Sequence, residues 1–329
     1  MDIKGSKVFV TGGCGFIGSH LVEELVRKGC EVTCLVEYNP ENDLGLLKEA
    51  DKSILSKIKF VFGDILDENT LTGAMKGCDY VFHLAAVISI PYSYQSPRHT
   101  VDTNVIGTLN VLQAARNNRV KKLVHTSTSE VYGSAQYIPI DEKHPLVGQS
   151  PYSASKIGAD KIAESFYLSY ELPVVTVRPF NCFGERQSLR AVIPTIITQA
   201  LQGKDVKLGN LHTTRDYTYV RDTVQGFIKA VEAETSVGKV FNISSNFEIP
   251  IKAIAENIIA LVNPALKIIT EPQRIRPENS EVQRLWGDNT QAKKELGWKP
   301  QHTFDEGLKN TINYYKNKIH LLRPEEYHF

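Results

Sequence analysis

The sequence has no apolar run near the ~20 residues that a membrane-spanning helix needs. Its opening residues, 1 to 7, lead into a strand-like run rather than the apolar centre of a signal peptide. A cytoplasmic protein is the expectation. Cysteine is scarce and dispersed: Cys14, Cys30, Cys34, Cys78 and Cys182 are odd in number and contain no Cys-x-x-Cys pair. That argues against a disulfide framework and supplies no zinc-ligand spacing, so no metal is expected and the thiols read as buried and free. Surplus charge is missing too. Lys plus Arg number 38 against 37 Asp plus Glu, leaving +1, so nothing draws the chain as a whole to nucleic acid or an anionic membrane. No internal repeat, low-complexity tract, charge block or obvious linker interrupts it.

What is present is an ordinary globular balance, 42% hydrophobic with 22 glycines in 329 residues, enough for one large domain or two joined intimately. Short Val-, Ile- and Phe-rich runs recur at 7–10, 31–36, 59–62, 80–84, 122–126, 174–177 and 240–243, alternating with helix-period stretches. Strands buried on both faces read this way. The alternation predicts an α/β fold, a doubly wound parallel Rossmann sheet. After Pro179 the pattern loosens into Pro- and Gly-punctuated pieces, which predicts a smaller discontinuous lobe over the carboxyl edge of the sheet. The expected division is a cofactor-binding domain over 1–180 with about 221–248, and a substrate lobe over 181–220 and 249–329.

The first strand runs into Thr11-Gly12-Gly13-Cys14-Gly15-Phe16-Ile17-Gly18, and a helical pattern follows, stopped at Gly29. Both Gly13-x-Gly15-x-x-Gly18 and Gly12-x-x-Gly15-x-x-Gly18 fit a dinucleotide turn, in which glycines let backbone N–H groups approach a pyrophosphate at a helix amino end. Glu37, 19 residues beyond Gly18 at the end of the second strand, stands where an acid would bind ribose hydroxyls and repel a 2′-phosphate, favouring NAD over NADP. A solvated loop carboxylate is the competing reading of that residue.

Ser150-Pro151 reads as an N-cap followed by proline at the first helical position. It launches Tyr152-Ser153-Ala154-Ser155-Lys156, whose Tyr152 and Lys156 share one helix face. An ammonium and a cationic nicotinamide would favour the phenolate, making Tyr152 a base for a sugar hydroxyl. The fifth strand, Lys122 to Thr126, breaks into Ser127-Thr128-Ser129-Glu130, crowding hydroxyls and a carboxylate at a strand's carboxyl end. Turn chemistry would account for the hydroxyls but less well for Glu130.

Together these residues closely resemble the extended short-chain dehydrogenase/reductase superfamily. Arg178-Pro179-Phe180-Asn181 adds to the likeness, which covers nearly the whole chain. The resemblance implies that Gly12, Gly15, Phe16, Ile17 and Gly18 form the NAD turn, that Asp64 and Ile65 meet the adenine, and that Leu84, Ala85 and Ala86 pass the nicotinamide ribose. Asn104 matches a further position near the cofactor. Within the superfamily, Thr128-Ser129-Glu130 resembles the nucleotide-sugar 4,6-dehydratases of the GDP-mannose type. Residues 90–94, 148–152, 186–188 and 190–195 look more like the legionaminic-acid-pathway dehydratases, which act on UDP- or GDP-linked N-acetylglucosamine. By the same resemblance Asn181, Val192, Arg215 and Arg276 line the nucleotide-sugar pocket. For Arg276 a surface salt bridge is an equal alternative.

The activity so implied is that of an NAD-dependent hydro-lyase. Tyr152, aided by Thr128 and Lys156, would open an oxidation at C4, Glu130 would take the C5 proton, and water would leave from C6. Ser129 stands where dTDP-glucose dehydratases carry an aspartate that assists the departing hydroxyl, so the proton would come from Glu130 or through Ser129 and water. Alternatives remain: a UDP-glucuronate decarboxylase of the UDP-xylose synthase type, a nucleotide-sugar 4-epimerase, or a non-catalytic NAD(H)-binding sensor or scaffold. The segments 101–115 and 152–170 carry the small residues Gly107, Ala154, Gly158 and Ala159. Related enzymes pair through these elements, and a homodimer is expected, although packing against the sheet would use the same residues.

Overall fold

The computed structural model describes residues 2–272 and 282–321. Seven strands form the large sheet: β1 (Lys7–Thr11), β2 (Glu31–Glu37), β3 (Ile58–Gly63), β4 (Tyr80–His83), β5 (Lys122–Thr126), β6 (Val174–Pro179) and, after an excursion into the lobe, β10 (Val240–Ile243). Their order is β10-β6-β5-β4-β1-β2-β3, and every pair is parallel. The seven apolar runs of the sequence are these seven strands. The order reverses between β1 and β4, and at that switch a crevice opens beyond the carboxyl ends of the strands.

Two layers of helices bury the sheet because each presents an apolar stripe to it. On one face Leu21, Val22 and Leu25 of the helix Phe16–Arg27 pack with Val224, Phe227 and Ile228 of Val220–Glu232. On the other face lie Leu71 of Glu68–Ala74, Val111 and Leu112 of Gly107–Asn117, and Ala163 and Phe166 of Pro151–Tyr170. The helix Gly107–Asn117 is entered through a π-turn, Asp102–Ile106.

The lobe gathers β7 (Asn181–Phe183), β9 (Thr214–Tyr219), β11 (Glu248–Pro250) and β13 (Arg284–Leu285) into a second sheet, while β8 (Val206–Leu208) pairs with β12 (Ile268–Thr270). Its own core joins Phe183, Ile196, Ile197, Tyr217, Ile254, Ile258, Leu308 and Ile312. The chain enters the lobe after β6, returns to the large sheet for β10, and re-enters. The chain thus contributes to the lobe in two stretches, either side of β10.

One expectation changes. Cys30 and Cys34 are buried, but Cys14, Cys78 and Cys182 are half-buried. The small residues of the two helical segments also serve packing within the chain: a Cβ on Gly107 would stand 3.0 Å from Ile65, and one on Gly158 would stand 3.3 Å from Val105. Among the described residues no helix is long and apolar enough to cross a membrane.

Candidate active site

A cleft of about 1050 Å³ separates the carboxyl edge of the large sheet from the lobe. Its floor begins at the glycine turn. Gly12 adopts φ +70°, its carbonyl accepts the Gly15 N–H at 3.0 Å, and the helix Phe16–Arg27 starts at once. Gly15, at the N-cap, has no side chain to occupy the first-turn N–H groups, which leaves them for an anion. A Cβ on Gly12 would lie 2.6 Å from the Ala85 nitrogen, and one on Gly18 would lie 2.0 Å from the Gly12 carbonyl oxygen. Backbone packs against backbone here, so no side chain is tolerated. Of the two glycine registers, Gly12, Gly15 and Gly18 line the cleft, whereas a Cβ on Gly13 would meet Cys34 Sγ beneath the turn at 2.5 Å.

Phe16, Ile17, Glu37, Asp64, Ile65, Leu84, Ala85 and Ala86 line the same cleft, each at or just beyond the end of a parallel strand or at the helix start. Asp64 is partly committed locally, its Oδ1 accepting the Leu66 N–H at 2.8 Å. Asn104 is fully buried, off the cleft surface. Its Oδ1 accepts the Val87 N–H at 2.8 Å, and its Nδ2 donates to the Val87 carbonyl and to Ser155 Oγ, each at 2.9 Å. Asn104 thus braces the wall from behind. A glycine cradle, a bare helix amino end and a carboxylate at the second strand's end fit an adenine dinucleotide.

The reactive residues come from two elements. Ser150 caps the helix Pro151–Tyr170 through a reciprocal pair with Ser153, and this helix carries Tyr152 and Lys156. Thr128, just past β5, caps the short turn Ser129–Tyr132 by accepting the Glu130 N–H at 3.2 Å. The Thr128 hydroxyl also lies near enough to the Tyr152 phenol to favour its ionised form. Thr128, Ser129, Glu130 and Tyr152 all line the cleft. Lys156 lies behind them, 3% exposed, donating through Nζ to the Thr126 carbonyl at 2.7 Å.

The electrostatics depart from the simple picture of a lysine making its tyrosine neighbour basic. Burial pushes the Tyr152 phenol well above its ordinary value; the Thr128 hydroxyl opposes this, and the Glu130 and Asp160 charges add to it. Burial also lowers Lys156 to about 8 against the pull of Asp160. The protein's own groups therefore hold Tyr152 protonated, and a phenolate needs positive charge brought into the cleft.

Across the cleft the lobe contributes Asn181, Val192 and Arg215, together with Arg190 and Lys207. Arg276 lies outside the described residues. The sequence reading missed Lys207, the Val87–Ser89 wall, and a buried cluster of Asp160, His125, Ser127 and Arg178 beneath Lys156. Asp160 had a sequence signal, one helical turn beyond Lys156. Among the described residues no three His, Cys, Asp or Glu side chains are grouped to hold a metal ion.

Comparisons agree with this geometry. A family model described as GDP-mannose 4,6 dehydratase matches residues 9–311. The chain is 34% identical to a UDP-glucose 4-epimerase of Mycolicibacterium smegmatis, covering 95% of this chain and 99% of that one. It is 33% identical to a UDP-N-acetyl-alpha-D-glucosaminuronate decarboxylase of Bacillus cytotoxicus, covering 94% and 98%. Its structure is similar to that of DesIV, a dTDP-glucose 4,6-dehydratase of Streptomyces venezuelae crystallised with NAD, with a TM-score of 0.86, 28% identity and coverage of 97% and 100%.

Proposed function

We propose that this chain, which belongs to the GDP-mannose 4,6 dehydratase family of nucleotide-sugar dehydratases, epimerases and decarboxylases, is an NAD-dependent nucleotide-sugar 4,6-dehydratase. The observation that carries the reading is Glu130 on the same cleft wall as Tyr152, close enough for its charge to act on the phenol. An epimerase needs the tyrosine and leaves that carboxylate without a task. A decarboxylase needs a cation for the substrate's C5 carboxylate. The cations among the described cleft-lining residues, Arg190, Lys207 and Arg215, all come from the lobe, where a diphosphate would be held.

The glycine turn, Glu37, Asp64, Ile65 and the 84–86 strand end would hold NAD, with support from solved relatives that contain it. Bound there, it would supply a hydride acceptor for C4, the same hydride for C6, and the positive charge that makes the Tyr152 phenolate accessible. Tyr152 takes the 4-hydroxyl proton, with Thr128 donating to the phenolate and Lys156 adding positive charge from behind. The C4 ketone acidifies C5–H. Glu130 accepts that proton and, now a carboxylic acid, returns it to the departing 6-hydroxyl, so that water leaves and a C5–C6 double bond forms. Ser129 can relay this proton but is too weak an acid to supply it. Hydride at C6 and a solvent proton at C5 complete a 4-keto-6-deoxy sugar with no net redox change.

On the same proposal the substrate is UDP- or GDP-linked N-acetylglucosamine, and the enzyme works in the cytoplasm as a homodimer. The exposed Val101, Ile106 and Leu168 on the paired helical segments support that assembly. The test is incubation with a panel of nucleotide sugars followed by mass. Loss of one water without accumulation of reduced cofactor supports the reading. Isomerisation at constant mass, or release of carbon dioxide, replaces it with one of its rivals.

A further inference from the structure

Beneath the reactive pair lies a buried carboxylate that the mechanism above does not use. Asp160 sits one helical turn beyond Lys156 and is 5% exposed. Its Oδ1 accepts from His125 Nε2 at 3.1 Å, and its Oδ2 accepts from Ser127 Oγ at 2.8 Å and from Arg178 Nε and Nη2 at 3.2 and 2.9 Å. Three elements meet there: the helix Pro151–Tyr170, the end of β5 and the neighbouring strand β6. Arg178 is itself held, donating to the Tyr132 hydroxyl at 3.0 Å, which in turn donates to Asn242 Oδ1 at 2.7 Å.

The site needs such a joint. Tyr152 and Lys156 ride on the helix, whereas Thr128 and Glu130 follow β5, and catalytic geometry tolerates little slippage between them. His125 and Ser127 flank Thr126, whose carbonyl receives the Lys156 ammonium. By gripping both flanking side chains, Asp160 fixes that carbonyl and the turn beyond it relative to the helix. Its charge matters as well. Lys156 and Arg178 are two buried cations, and a buried cation without a counter-charge neutralises instead. We infer that Asp160 is a positioning residue, which locks the helix to the strand end and keeps Lys156 an ammonium ion. The inference rests on the reading of Tyr152 and Lys156 as the proton-handling pair.

The charged and titratable groups around the joint bear this out. Burial alone would raise the Asp160 carboxyl, but the His125 hydrogen bond, Arg178 and Lys156 together hold it at about 2, so it stays ionised. His125 from β5 is lowered by burial against the Asp160 hydrogen bond. His83 from β4, its ring 5.8 Å from that of His125, is lowered well below its ordinary value, by burial first, and the nearby His125 and Lys156 disfavour a charge on it further. Both imidazoles therefore stay neutral. Tyr132 is raised to about 12, by burial against Arg178, and stays a phenol. Glu130 faces the same helix through Tyr152. The Asp160 carboxylate is thus left as the counter-ion to Lys156 and Arg178.

The test follows the Lys156 midpoint by nuclear magnetic resonance in full-length protein carrying [13C]ε-lysine, with Lys156→Arg to assign the signal. Asp160→Asn should lower the midpoint by roughly one pH unit or more, and Asp160→Glu should largely restore it. With a substrate that the wild type turns over, Asp160→Asn should cut kcat about 10- to 100-fold, leave KM nearly unchanged, and carry the alkaline limb of the pH profile downward with the midpoint. If Asp160→Asn does not fold, Asp160→Asn with Arg178→Gln removes the second buried cation as well, so that Lys156 alone is left without a counter-charge and can neutralise. It should still lower the midpoint, because the lost carboxylate acts directly on Lys156. An unmoved midpoint, or a fall in kcat with the limb in place, overturns the inference. The midpoint needs no substrate, so a wild type inactive across the panel would remove the dehydratase reading without deciding this one.

Discussion

Gly18→Ala tests the cofactor cradle with a single methyl group. The added Cβ would stand 2.0 Å from the Gly12 carbonyl oxygen, 2.8 Å from the Gly12 carbonyl carbon and 2.9 Å from the Gly13 Cα. All three are backbone atoms of the turn, so no side chain can swing aside. Reaching even a 3.0 Å contact demands about 1 Å of movement between turn and helix start, and overpacking of this kind typically costs ~1–3 kcal/mol. The displaced atoms are those that would face a pyrophosphate bound at this turn, so the strain should appear in cofactor affinity as a roughly 5- to 150-fold weakening. Calorimetric titration with NAD, alongside thermal unfolding of the protein alone, separates lost affinity from lost fold. Gly73→Ala is the control: nothing lies within 4 Å of its added Cβ, in the helix Glu68–Ala74. That variant should bind NAD normally and gain up to ~1 kcal/mol of stability. NAD binding by Gly18→Ala within twofold of the wild type would refute the placement of the dinucleotide on this turn.

Other perturbations separate the roles of the reactive residues. Glu130→Gln should suppress water loss by roughly 10²- to 10⁴-fold while still permitting C4 oxidation, visible as reduced-nicotinamide absorbance in single turnover; full dehydration in that variant contradicts the assignment. Lys156 is lowered by burial to about 8, and its ammonium form is the useful one, so kcat/KM should fall as pH rises above about 8. Residual activity in Lys156→Arg should lack that limb, because arginine stays charged; a limb that persists belongs to another group. Ser150→Ala removes the cap and its reciprocal bond with Ser153, which should cost about 1–2 kcal/mol in denaturant unfolding. Because the cap precedes Tyr152 by two residues, kcat should fall as well.

The large sheet was legible because a strand buried on both faces must be apolar along its length, and most of the seven runs satisfy that condition alone; β3, at the edge of the sheet, is only partly buried. The glycine turn was legible for a related reason: backbone contacts of the kind seen at Gly12 and Gly18 leave no other residue possible. The capped helix start at Ser150 was readable from local chemistry. Long-range partners were not. The sequence puts Lys156 beside Tyr152, yet nothing local shows that the ammonium turns to the Thr126 carbonyl or that burial holds the phenol protonated. Asp160 looks like one more polar residue on a helix until β5 and β6 bring His125, Ser127 and Arg178 to it. The lobe was visible as a break in pattern, but its facing residues Arg190 and Lys207 come from separate segments that only the second sheet and its helices bring together.

In the proposed dehydratase an oxidation at C4 is reversed within the same sugar at C6, with Glu130 opening the path between them. The direct measurement uses a nucleotide hexose carrying deuterium at C4, turned over by the wild type and analysed by nuclear magnetic resonance of the product. The deuterium should appear at C6 of a 4-keto-6-deoxy sugar, having crossed within one molecule. Deuterium retained at C4 of an isomerised hexose, or found in the cofactor pool, would contradict it.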